Sequence, residues 1–78
     1  MKQIQRVAEK KTGRKWEQTF VTTDEKEVYE SLAHDLIAKK LHNAPWITRI
    51  SDRSNYDGTW NITVTYDNGC RSIYTVKS

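Results

Sequence analysis

The sequence predicts a small α+β domain of order ββαβββ, an antiparallel sheet with one helix packed across one face. Three observations carry this: a single amphipathic helical stretch at 24–42, alternation of apolar and polar residues on both sides of it, and three glycines that each end a polar turn triplet. With 78 residues the chain supports one domain, spanning 1–78. Hydrophobic residues make up 36% and charged residues 29%, enough apolar surface to fold and too little in any one run for a membrane span. A cytoplasmic protein with no membrane partner is expected.

The turn triplets are Lys11-Thr12-Gly13, Tyr56-Asp57-Gly58 and Asp67-Asn68-Gly69. A three-residue hairpin loop wants glycine last, where the backbone turns left-handed. Such a loop at Gly69 pairs Tyr66 with Cys70, Ile62 with Tyr74 and Trp60 with Val76, and it separates apolar from polar better than a two-residue Asn68-Gly69 turn, which stays open as an alternative. The same loop length at Gly58 pairs Ile50 with Val64 and Thr48 with Tyr66. At Gly13 it pairs Ile4 with Phe20 and Ala8 with Trp16.

In the helix, Tyr29, Leu32, Ala33, Leu36, Ile37 and Leu41 follow the spacing of one face. Thr23 or Asp24 caps its start, acids fill the first turns, Lys39, Lys40 and His42 fill the last, and Pro45 stops it. The expected partners of this stripe across the sheet are Ile4, Ala8, Trp16, Phe20, Trp46, Ile50, Trp60, Ile62, Val64, Tyr66, Tyr74 and Val76. The helix would then present Glu27, Glu30 and Asp35, with His34, to solvent or to a basic partner. Leu32 to Val76, a helix and three strands with an Asp57-Gly58 turn before an aromatic β segment, resembles the PepSY and cystatin-like arrangement in element order. No activity is carried over from it, because element order does not establish a site.

The net charge of +3 conceals a division along the chain: residues 1–15 carry +5, residues 16–36 carry −5 and residues 37–78 carry +3. Two basic clusters result. Arg49, Arg53 and Arg71 are expected on the outward sheet face among threonines, where guanidinium groups can hold carboxylates or phosphates. Lys10, Lys11, Arg14 and Lys15 crowd the tip of the first hairpin, where they can sit on phosphates or guard a sheet edge. The acidic helix and basic hairpin also offer a route to self-association.

Catalytic signals are poor. The single cysteine, Cys70, has no internal partner, and His34 and His42 are eight residues apart on the helix, so neither a disulfide nor a metal site is expected. The chain has no phosphate-cradling glycine loop, catalytic serine motif or calcium loop. No cofactor is implied. A non-enzymatic binding or accessory module with a protein partner is therefore expected, with a nucleic-acid-binding factor as the second reading. Base stacking is disfavoured, since the outward face of the last three strands has Ile73 but no aromatic residue.

Overall fold

A computed structural model describes residues 3–77. Strands β1 (Gln3–Thr12) and β2 (Lys15–Thr22) precede helix α1 (Glu25–His42), and β3 (Ile47–Ser54), β4 (Thr59–Tyr66) and β5 (Cys70–Lys77) follow it. They form one antiparallel sheet in the order β2-β1-β5-β4-β3. The α+β class and the ββαβββ order stand as predicted. The first hairpin joins the free side of β5, which leaves the charged strands β2 and β3 as edges. Interior β1 carries apolar residues on both faces, Ile4 and Ala8 on one and Val7 on the other.

The last two hairpins keep their predicted registers. Ile62 pairs with Tyr74, Trp60 with Val76 and Ile50 with Val64, and Gly58 and Gly69 have left-handed φ values of 92° and 82°. The three-residue loop at Gly69 is stapled by the Asn68 side chain, which accepts from the Cys70 N–H at 3.1 Å. One residue departs from the expected pattern: Tyr66 lies opposite Ile47, because Thr48 bulges out of β3.

The first hairpin corrects the expectation. Its loop is the two-residue pair Gly13-Arg14 between paired Thr12 and Lys15, with φ +62° at Gly13 in the first central position, as a type II′ turn requires. Thr19 is an extra residue in β2, its hydroxyl donating to the Ala8 carbonyl, and the register shifts there so that Phe20 pairs with Ala8 while Trp16 pairs with Lys11. Phe20 thus stays on the helix side. Trp16 moves to the other face.

Asp24 caps α1 by accepting from the Glu27 N–H at 3.1 Å, and left-handed Asn43 ends it, with Ala44 N–H reaching the Ala38 carbonyl. The helix is turned about its axis relative to the predicted stripe. Val28, Leu32, Asp35 and Ala38 face the sheet, whereas Tyr29, Ile37 and Leu41 are exposed. The rotation has a polar counterpart: Tyr66 and Tyr74 extend their hydroxyls from the sheet toward α1, and Asp35 accepts from both. Trp46 and Trp60, expected in the core, are about half exposed because the helix does not reach over them. The core that remains is small: Ile4, Val28, Leu32, Ala38, Ala44, Ile47, Val64 and Tyr74.

Candidate binding face

Among the described residues no element covers the second sheet face. Its rows follow from the registers: Gln18, Glu9, Arg71, Thr65 and Arg49 form one, Val21, Val7, Ile73, Thr63 and Ser51 the next, and Gln5, Thr75, Asn61 and Arg53 the one after. Lys11 and Trp16 extend this surface at one end, and Lys77 with Thr59 at the other. Among the described residues the face therefore carries five cations and one carboxylate. The uncharged row runs through the middle and the charges flank it.

The three arginines are not equivalent. Arg71 Nε donates to Glu9 Oε1 at 2.7 Å, and its guanidinium lies 3.9 Å from the centre of the Trp16 ring. That geometry combines an ion pair with a stacked cation and removes Arg71 from the set of free arms. Among the described residues Arg49 and Arg53 have no such partners: both are exposed on edge strand β3, four residues apart on one face with Ser51 between them. Asn61 between them and Thr75 is held by hydrogen bonds from Thr75 and Asn55.

The hairpin tip is divided between faces. Lys11 is on the uncovered face, Lys10 faces the helix side opposite Cys70 and Glu17, Lys15 is on that same side, and Arg14 occupies the turn. All four are exposed, but they do not converge on one surface. The tip is also anchored, since Lys11 N–H donates to the Gly69 carbonyl at 2.9 Å.

Beneath the helix lies a polar network that sequence reasoning missed. Asp35, expected on the solvated face of α1, is buried and accepts from Tyr66 Oη at 2.5 Å and Tyr74 Oη at 2.9 Å. Ser31 bonds Tyr74, Ser72 bonds Tyr66, and Arg6 donates to Ser72 while lying over the Phe20 and Tyr74 rings. Burial raises both tyrosine hydroxyls above the ordinary phenol range, Tyr66 strongly, with the Asp35 carboxylate adding to the rise and the serine bonds opposing it. Glu27 and Glu30 remain exposed, but Asp35 is withdrawn from any partner of the helix. The network is centred on buried Asp35, Ser72 and Tyr74, with half-buried Arg6, Ser31 and Tyr66 around them, and reads as a brace between helix and sheet.

Cys70 is half-buried on the helix side, and His34 is exposed with Nδ1 3.6 Å from Asp35 Oδ1. Among the described residues no three His, Cys, Asp or Glu side chains converge as a metal site, and no helix is long and apolar enough to cross a membrane. The chain matches no family model, no curated protein and no solved structure.

Proposed function

We propose that this domain is a non-enzymatic binding module that takes an acidic surface of another protein on its uncovered sheet face. The observation that supports this reading is the layout of that face, an uncharged strip through Val7, Ile73 and Thr63 bordered by Lys11, Arg49, Arg53 and Lys77. Protein interfaces are built in this way, with a weakly polar centre and a charged rim that steers the partner and fixes its orientation. Nucleic-acid binding asks for cations strung along a backbone path, or for open aromatic rings. Here the cations border the surface, and Arg71 already covers Trp16.

The test is capture of a partner by tagged protein from the native host, with and without nuclease, for the wild type and for an Arg49→Glu, Arg53→Glu double variant. The reading predicts a protein partner that survives nuclease and is lost with the double variant. Release by nuclease would favour the nucleic-acid reading, and undiminished capture by the double variant would remove this face from the interaction.

A further inference from the structure

Strand β3 is an edge of the sheet, and beside it α1 and the sheet enclose a groove of about 460 Å³ lined by Leu36, Ile50 and Ile62, with Lys39, Lys40 and Asp52 around them. The backbone phase of β3 is set by Asn55, whose N–H donates to the Thr59 carbonyl at 3.0 Å. Alternation along an antiparallel ladder then turns Arg49, Ser51 and Arg53 toward β4 and leaves the N–H and C=O groups of Ile50, Asp52 and Ser54 pointing outward. The Ile47 carbonyl, before the bulge, is taken by Lys39 Nζ at 2.9 Å. The open stretch thus runs from Arg49 to Ser54, regular and without proline. The opposite edge, β2, is interrupted in its middle by the Thr19 bulge, a feature that discourages strand addition.

We infer that β3 receives an extended segment of the partner as an added strand, with acidic residues over Arg49 and Arg53 and an apolar residue opposite Ile50 entering the groove. This rests on the protein-partner reading and specifies the segment recognised. Main-chain bonds to Ile50 and Asp52 supply affinity, and the two faces of the added strand supply selectivity. Side chains on one face meet the Leu36, Ile50 and Ile62 groove. Those on the other meet two exposed guanidinium groups separated by one serine, which selects acids four positions apart. A second copy of this chain is a poor occupant, because its most central antiparallel registers would set Arg49 against Arg53 or Asp52 against Asp52.

The experiment is a titration of isotope-labelled protein with the end-capped peptide Thr-Glu-Val-Thr-Val-Glu-Thr and with its counterpart carrying Lys for Glu, read by amide exchange. The glutamate peptide is expected to slow exchange at Ile50 and Asp52 by about tenfold at saturation, and the lysine peptide to leave it unchanged. Asp52→Pro removes an outward N–H without touching the β4 ladder and is expected to abolish the protection. Arg49→Glu with Arg53→Glu, a pair of exposed positions, is expected to exchange the preference from the glutamate to the lysine peptide. Absence of binding, binding without protection of Ile50 and Asp52, or full protection in the proline variant would overturn the inference. So would protection of β3 in the free protein that disappears on dilution, the mark of self-pairing. Shifts at Val7, Thr63 and Ile73 without β3 protection would sink strand addition yet leave the face reading standing, and protection without those shifts would do the reverse.

Discussion

The two faces of the sheet handle polar groups in opposite ways. On the covered face Asp35, Ser72 and the Tyr66 and Tyr74 hydroxyls are turned inward and bonded to one another. On the uncovered face Arg49 and Arg53 are turned outward, and Glu9, the one carboxylate among the described residues, is bound to Arg71. A buried polar group left without its partner keeps its desolvation cost, whereas an exposed one simply returns to water. Substitutions on the covered face should therefore change stability, and those on the uncovered face should change association.

The largest effect is expected for Tyr74→Ala. Tyr74 is fully buried, and its loss should cost about 4 kcal/mol from the cavity alone. A chain of this length has a total stability of roughly 4–12 kcal/mol, so the variant should lose a third or more of it and unfold at a much lower urea concentration by circular dichroism. Asp35→Ala should cost about 3 kcal/mol in urea unfolding, because two buried hydroxyls lose a charged acceptor. A near-neutral result there would erase the distinction between the faces.

Alkali provides a test without substitution. The folded-state values of Tyr66 and Tyr74 lie above the ordinary value of 10.0, so the folded protein holds these protons more tightly than the unfolded chain. Their contribution is fully present below that ordinary value and is lost as pH rises through the folded-state values. Urea unfolding should show a contribution from these groups that does not change with pH near neutrality and a stability that falls steadily above pH 10.0, with a shallower fall in Tyr66→Phe. An equal slope in that variant would detach Tyr66 from the effect.

Smaller still is the helix cap, where Asp24→Ala should cost about 1 kcal/mol by the same assay. The smallest change is expected on the uncovered face: Arg49→Glu with Arg53→Glu should alter unfolding by no more than about 0.5 kcal/mol. A larger loss would mean that these arginines stabilise the fold and are not free for a partner.

The same contrast explains which features were legible in the sequence. The Gly58 and Gly69 hairpins could be read because side-chain alternation favours one register, even where Asn68-Gly69 also suits a two-residue turn, and through it Arg49, Arg53 and Arg71 fall on one face. The bulge at Thr19 leaves no local mark, since its residue type suits a regular strand equally well, and one extra residue was enough to carry Trp16 to the opposite face. Its stacking on Arg71 was invisible for that reason. An acid on a helix is usually solvated, and the acceptor role of Asp35 depends on tyrosines 31 and 39 residues further along. Ser72 was the available hint, a small polar residue on the otherwise apolar helix side of the central strand.

The central claim is that partners engage the uncovered face while the covered face holds the fold together. Its most direct test is an amide shift map of labelled protein in complex with the partner it captures. Changes are expected at Val7, Thr63 and Ile73 and along Arg49–Ser54, with the exposed helix positions Tyr29, Ile37 and Leu41 unmoved. Changes confined to α1, or to the Gly13-Arg14 tip, would contradict it.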